Sequence, residues 1–317
     1  MNTATRSPDL VIPSIEGHPG YDVSWPREAA SLERGVTAVL RVRNEARNLP
    51  WALPPLLRSG YRIVVVDNGS DDGTADVARR VAAEHGATDR VEVTAYPFTI
   101  SRCGDEHLRT HERSVHSLAH FYNWSFAHVR TAYSLKWDGD MVLTDEGVAT
   151  FADLAWQLEH VEAVVSMPRH PLFVESPSVA YLDRYLINVE EYLFPMGEAY
   201  RHVKAFEWEM RMVPRGTERL RLPEGLCVEL KHLDSDEFDH WDGQAAFGST
   251  ERTRRKAREW QVFSELRAGR GAQLAGVERI EAPAGVHVVD HVAHTWLPAQ
   301  RRPLTVPPHE REPRTAS

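Results

Sequence analysis

The sequence predicts an α/β protein in which a Rossmann-like, mostly parallel central sheet carries helices on both faces and is followed by a smaller α+β region. Three observations lead there. Short apolar runs at Val36–Val42, Tyr61–Val66, Val91–Ala95, Ala132–Trp137 and Val161–Met167 alternate with helical spacing, the pattern of βαβ units. Two of these runs end on acidic residues, Asp67 and Asp138. After Arg169 the pattern changes to alternating aromatic and charged residues.

Val36–Val42 is rich in β-branched residues and reads as the first strand of the sheet. Ala46–Arg58 has helical spacing through Leu49, Leu53, Leu56 and Leu57, interrupted by Pro54 and Pro55. Tyr61–Val66 is too short for a buried helix and reads as a strand. Thr74–His85 places Ala75, Ala78, Val81 and Ala82 along one side of a helix. A long helix is expected over Glu106–Val129, then the strand Ala132–Trp137 and a helix over Asp145–Leu158. In the second half, Val203–Val213 alternates, with Phe206, Trp208, Met210 and Met212 on one face and Glu207, Glu209 and Arg211 on the other. Arg219–His232 is expected as its hairpin partner, and Glu251–Leu266 as a charged amphipathic helix. The expected organisation is an irregular lead-in over 1–35, a ligand-binding half over 36–168, an α+β region over 169–297 and a disordered Pro/Arg-rich tail over 298–317.

Composition narrows the function classes. The chain has 317 residues, 42% hydrophobic and 26% charged, enough for a proper core without disulfides. Only Cys103 and Cys227 are present, without metal-ligand spacing. A formal net charge of -9 opposes a nucleic-acid partner. No run approaches the ~20 apolar residues of a membrane span, nor is there a signal-peptide pattern, so a cytoplasmic location is expected. Monomer and homodimer are both open.

In an open parallel sheet, ligands bind outside the carboxyl ends of the strands, which directs attention to residues 43–45, 67–73 and 138–141. Asp67 ends a buried strand, where its carboxylate needs a hydrogen-bonding partner; a nucleobase or ribose hydroxyl would serve. Gly69 and Gly73 permit the tight turn and a close backbone approach. An ordinary polar βα turn would also account for this segment. Further on, Asp138-Gly139-Asp140 brings two carboxylates to one strand end, a repulsive pair that Mg²⁺ or Mn²⁺ would resolve.

Together, Val39-Leu40-Arg41-Val42-Arg43-Asn44-Glu45, Val66-Asp67-Asn68-Gly69-Ser70-Asp71-Asp72-Gly73-Thr74 and Trp137-Asp138-Gly139-Asp140 resemble glycosyltransferase family 2, of the GT-A fold. Arg113-Ser114-Val115 and Asn123-Trp124 resemble that family's helix before its Asp-x-Asp motif. The resemblance covers about residues 36–168. It implies a metal-dependent transfer of a sugar from a nucleoside-diphosphate sugar, most often UDP-linked, to a small-molecule, glycan or lipid-linked acceptor. Asn44 and Glu45 would border the nucleotide, Asp67 would bind the base, Asp138 and Gly139 would lie at the ribose or metal, and Asp140 would coordinate the metal.

The chain departs from that pattern in its second half, which has no Glu-Asp pair to serve as catalytic base. Glu207 and Glu209 are the candidates, with Asp234 and Asp236 as weaker ones; the alternation of the two glutamates with Phe206, Trp208 and Met210 equally suits the solvated face of a hairpin. A retaining enzyme would need no such base. His232 is the candidate for a further metal ligand, with His291 and His294 as competitors and ordinary polar or packed histidine as the plainer account. His116 and His120, four residues apart on the expected helix, read as packing residues. Two other functions compete: a catalytically inactive sugar-nucleotide-binding scaffold, and a nucleotidyltransferase, whose Gly-rich phosphate loop is missing from Val39–Leu49.

Overall fold

The computed structural model describes residues 9–26, 32–158, 161–205, 208–238 and 251–295. The expected Pro/Arg-rich tail, Phe206 and Glu207 lie outside the described residues.

The core of the fold is a parallel array. Strands β3 (Glu33–Val42), β4 (Arg62–Asp67), β5 (Val91–Ala95) and β6 (Thr131–Trp137) lie in the order β5-β4-β3-β6. Their residues Val39, Leu40, Val65 and Trp137 are fully buried. Burying a side chain of this size contributes ~1.5–3 kcal/mol, and continuous apolar runs are what a sheet covered on both faces requires. From β3 the chain moves outward to β4 and β5, then returns to the other side of β3 as β6. The strand order therefore reverses between β3 and β6, which opens a crevice at their carboxyl ends.

Helices α1 (Leu49–Arg58), α2 (Thr74–Glu84) and α5 (Asp145–Gln157) pack apolar residues such as Leu53, Leu56, Ala78, Val81 and Phe151 into the core that contains Leu40 and Val65. Despite Pro54 and Pro55, α1 is held by its six buried positions. The expected helix over Glu106–Val129 is instead two short ones, α3 (Asp105–Arg109) and α4 (Leu118–Phe126). Between them Ser114 and Ser117 donate their backbone N–H groups to His111 and Ser114 carbonyls, and Glu16 accepts from both Ser114 Oγ and Val115 N. The interruption is thus held by two tight turns and by the tertiary bonds to Glu16. His116 and His120 are consequently not on one helix face: His116 Nδ1 meets the Thr99 carbonyl and His120 Nε2 that of Tyr21.

The lead-in, expected to be irregular, carries an antiparallel pair, β1 (Leu10–Ile12) and β2 (Val23–Trp25). Trp25 is fully buried and donates to the Gly197 carbonyl at 2.7 Å. Beyond α5 the sheet continues without a break. β8 (Ala163–Ser176) runs through Pro168 and Pro171, and β10 (Asn188–Pro195) joins it to β6 in antiparallel fashion. β9 (Val179–Asp183) and β15 (Val277–Glu281) extend the far edge. β13 (Glu218–Arg221) and β14 (Cys227–His232) both run parallel to β8, and β14 also pairs with β7 (Met141–Leu143).

These pairings correct the second-half expectation. The strand β12 (Trp208–Arg211) takes β11 (His202–Ala205) as its hairpin partner, not residues 219–232. Its faces are also inverted. Trp208 and Met210 are exposed, whereas Glu209 and Arg211 are half-buried. Arg211 decides this orientation: its guanidinium lies 4.2 Å from the Phe194 ring centroid and donates to Ser134 Oγ at 2.9 Å. Helices α6 (Glu251–Arg267) and α7 (Val288–Thr295) complete the second half, and no helix among the described residues is long and apolar enough to cross a membrane.

Candidate functional site

The carboxyl ends of β4, β3 and β6 bring Asp67, Asn44, Glu45 and Asp138 to one edge of the sheet. Register fixes their levels: Val42 lies opposite Asp67, and Leu40 opposite Trp137.

The turn after β3 is tied to the loop after β4. Asn44 is the single non-glycine residue with a left-handed backbone among the described residues (φ 58°), a conformation Asn tolerates better than most. Its N–H donates to Ser70 Oγ at 2.9 Å, and its Oδ1 accepts from Asp71 N at 3.0 Å. Glu45 N donates to Thr74 Oγ1 and Ala46 N to Asp72 Oδ2. Asp67 Oδ1 accepts from both N and Oγ of Ser70, at 3.1 and 2.5 Å, which orients its half-buried carboxylate. Gly69, at φ 71°, turns the chain beside it.

The segment after β6 packs against this turn. A Cβ on Gly139 would stand 2.7 Å from Glu45 Cγ and 3.0 Å from Val42 Cγ1, so any side chain there must push the Glu45 side chain aside. Burial raises the Glu45 carboxyl to about 7; Asn48, donating to its Oε2 at 2.8 Å, opposes that shift.

Asp138 and Asp140 then diverge. Asp138 is met by two guanidiniums, Arg41 at 3.4 Å and Arg169 at 3.6 Å. Arg41 stacks 3.7 Å from the Tyr122 ring centroid, and its Nη1 is buried with no hydrogen-bond partner among the described residues. Asp140 turns inward to the Lys231 ammonium, 3.1 Å away. Burial pushes the Asp140 carboxyl up to about 8, while Lys231 pulls the other way. The same ammonium meets Glu229 at 3.0 Å, Glu237 at 2.7 Å and Glu259 at 3.9 Å. Although burial opposes its charge, these carboxylates and Asp140 hold the Lys231 pKa well above the ordinary lysine range. Glu229, bound also by Arg169 Nε at 2.7 Å, stays ionised far below the usual carboxylate range despite its burial.

This geometry does not assemble the expected metal set of Asp138, Asp140 and His232. Alternation along β14 aims Lys231, not His232, at Asp140. His232 turns to α1, where Nε2–H donates to Asn48 Oδ1 at 2.7 Å. Burial lowers its pKa to about 4, with the Arg47 charge adding to the effect. His294 is held by Asp145 at 2.6 Å, and His291 lies on the same helix, α7. Among the described residues no three His, Cys, Asp or Glu side chains are arranged to hold a metal ion. Among the described residues, the cations in contact with the two aspartates are Arg41, Arg169 and Lys231.

Of the proposed bases, Glu209 is half-buried on β12, and its charge reaches Tyr122, the ring beneath Arg41. Asp234 is paired with Arg47 at 2.6 Å on the surface. Sequence reasoning missed Arg41, Tyr122, Arg169, Glu229 and Lys231. Arg41 sits inside the first motif, and a Glu-x-Lys in an apolar strand was the available signal for the last two.

No protein-family model matches the chain, and no curated protein matches it. Among solved structures it is similar to the mannosyltransferase PcManGT from Pyrobaculum calidifontis in complex with GDP-Man and Mn²⁺. The identity there is 14% and the TM-score 0.39, over 85% of this chain and 71% of that one. It is similar to S. aureus TarS 1–349 at 14% identity and TM-score 0.29, over 45% of this chain and 37% of that one. Glucosyl-3-phosphoglycerate synthase from Mycobacterium tuberculosis, with Mn²⁺, UDP and phosphoglyceric acid, gives 15% identity and TM-score 0.28 over 51% of each chain. The chain thus spans little more than a third of TarS 1–349 and about half of the synthase. TM-scores this low carry no argument about activity, and the residues themselves must decide it. The α/β class expected from the sequence is the one observed, with a Rossmann-like parallel array and a large central sheet flanked by helices.

Proposed function

We propose that the chain is a glycosyltransferase that takes a sugar from a nucleoside-diphosphate sugar, UDP-linked in the first instance, and passes it to a hydroxyl of a small-molecule, glycan or lipid-linked acceptor. The observation that supports this most is the convergence of Asp67, the Asn44–Glu45 turn and Asp138 at the strand-order reversal.

In this reading Asp67, oriented by Ser70, accepts hydrogen bonds from the base, and the Asn44–Glu45 turn borders the nucleotide. Gly69 leaves open space where a side chain would stand, so the ligand can approach the backbone, and Gly139 lets the segment after β6 pack against Glu45. Transfer breaks the bond between the anomeric carbon and the distal phosphate oxygen, and the electron pair leaves with the nucleoside diphosphate. The acceptor oxygen forms the new bond. In an inverting displacement its proton passes to a carboxylate, for which Glu209 is the candidate among the described residues and Glu207 the one outside them. Fixed charges aimed at the leaving diphosphate lower the barrier by stabilising charge as it develops.

The test is nucleotide binding by calorimetry and thermal shift with UDP, GDP, dTDP and CDP, followed by donor hydrolysis. One nucleotide should raise the melting temperature by mass action, and Asp67→Ala should weaken its affinity about tenfold, the size of a lost charge-assisted hydrogen bond. Unchanged affinity in Asp67→Ala moves the base site elsewhere. The internal pairing of both aspartates favours one second reading, a sugar-nucleotide-binding scaffold; a donor that binds and is never cleaved would select it.

A further inference from the structure

Across the crevice the strands run in the order β4-β3-β6-β10, so their ends form a row. Asp67 closes β4, the Asn44–Glu45 turn follows β3 and Asp138 follows β6. The next strand, β10, is antiparallel to β6, with Leu193 opposite Leu135 and Phe194 opposite Ser134. Carried on, that register brings the start of β10, and Glu190 with it, up to the level of Asp138. Side-chain contacts agree. Lys136 Nζ of β6 donates to Glu190 Oε2 at 3.3 Å, and Arg169 touches both Glu190 (3.8 Å) and Asp138 (3.6 Å).

Glu190 is the open side of this group. Its side chain is 31% exposed, against 22% for Lys136 and 9% for Arg169. Asn188 Nδ2 donates to its Oε1 at 2.9 Å and steadies the carboxylate. Burial works against the charge, yet Lys136 and Arg169 hold the carboxyl down at about 2. A carboxylate offers about four lone-pair sites, and the bonds from Asn188 and Lys136 use two of them. Lys136, Arg169 and Arg255 of α6 (4.0 Å) face Glu190, while Asp138 and Glu229 share Arg169 with it. Three cations thus stand against three carboxylates, and a neutral hydrogen-bond donor suits the remaining capacity better than an ion. The hydroxyls of a sugar ring are such donors.

We propose that the start of β10 is the subsite for the sugar of the donor, where Glu190 accepts hydrogen bonds from its hydroxyls and Asn188 positions that carboxylate. This rests on the nucleotide-sugar reading above and deepens it by naming the residues that meet the sugar. Length supports the placement. From β4 to β10 is three strand spacings, roughly 14 Å. A nucleotide sugar laid with its base on Asp67 carries its diphosphate past β3 and β6, and its sugar then lies over β10. A few well-placed polar groups of this kind are what fix orientation and specificity in a small-molecule site. The neighbouring Glu191 has no part in it: alternation turns it to the other face of β10, where it pairs with Arg219.

The experiment is calorimetric titration, with Mn²⁺ present, of wild type, Glu190→Gln and Glu191→Gln. The probes are UDP and GDP, and UDP-glucose, UDP-galactose, UDP-N-acetylglucosamine and GDP-mannose. For the nucleotide sugar that wild type binds most tightly, Glu190→Gln should weaken affinity about tenfold or more, the size of a lost hydrogen bond to a charged group. The matching free nucleoside diphosphate should change by less than about threefold, and Glu191→Gln should change neither. Asn188→Ala leaves every charge in place. It should weaken the nucleotide sugar alone, by about threefold, and it carries the comparison if Glu190→Gln does not fold. Equal losses for the nucleotide and the nucleotide sugar overturn the subsite and leave the donor reading standing. An unchanged nucleotide-sugar affinity in Glu190→Gln overturns it as well, even where transfer to an acceptor is slowed, since the carboxylate then meets some other group. If wild type binds no nucleotide, the donor reading falls and this inference with it.

Discussion

Replacing Arg169 with Met isolates the ion-pair network from the packing around it. Arg169 is 9% exposed and reaches Glu229 at 2.7 Å, Asp138 at 3.6 Å and Glu190 at 3.8 Å, while donating to the Tyr192 hydroxyl at 2.6 Å. Met fills most of the space of the arginine stem, so the cavity contribution is small. Breaking one partner of a buried pair costs ~3–5 kcal/mol. Lys231 still faces Glu229 and Lys136 still faces Glu190 at 3.3 Å, which places the loss at the lower end, about 3 kcal/mol. The hydrogen bond to Tyr192 adds about 1 kcal/mol.

The pH dependence of this loss carries the sharper test. Arg169 holds the Glu229 carboxyl far below its ordinary range. A carboxyl depressed in the folded state stabilises the protein above the unfolded pKa, and that contribution is lost as pH falls. In Arg169→Met, Glu229 returns toward the ordinary range and contributes less. The gap between wild type and variant should therefore narrow by about 1 kcal/mol between pH ~7 and pH ~4. Urea unfolding followed by tryptophan fluorescence at the two pH values measures it. A loss under about 1 kcal/mol at neutral pH, or a gap of equal size at both pH values, would refute the network as described.

Two further predictions use other parts of the molecule. Gly139→Ala should leave the fold intact but weaken nucleotide affinity, because the new Cβ must displace Glu45 from 2.7 Å; calorimetry showing wild-type affinity would mean that this wall is not part of the site. His202 is buried, and its pKa is lowered well below the ordinary value by that burial, with Arg211 and Arg41 adding to it. The unfolded chain takes up the proton first, so stability is present above about pH 6.5 and is lost as pH falls below it. His202→Leu should lose less than wild type between pH ~7 and pH ~5, and parallel urea midpoints would contradict this.

The parallel array was legible because its strands are apolar along their whole length: the IVVV of β4 ends on Asp67, within one residue of the expected end. Asp138 was legible for the same reason, as the first acidic residue after a buried strand. What escaped the sequence reading depends on partners far along the chain. Lys231 alternates with apolar neighbours as a solvated residue would, and only the pairing of β14 with β7 and β8 turns it onto Asp140. Trp208 and Met210 carry the apolar bulk of β12, yet Arg211 finds three aromatic rings and Ser134 on the inner side. Hydrophobicity alone therefore picked the wrong face. The Glu106–Val129 helix is interrupted where Ser114 Oγ and Val115 N bond Glu16, nearly a hundred residues away, a partner that a periodicity count does not weigh.

The place of β10 in the sheet has a consequence for biosynthesis. β6 lies at the centre of the finished sheet, but its neighbour on the outer side is β10, which is made more than 50 residues later. While the nascent chain extends through β8 and β9, the β6 edge presents unpaired N–H and carbonyl groups, a template for pairing with other chains. The half that carries the parallel strands therefore has no closed edge of its own during synthesis. Its protection arrives only when residues 188–195 leave the ribosome and dock between β6 and β8.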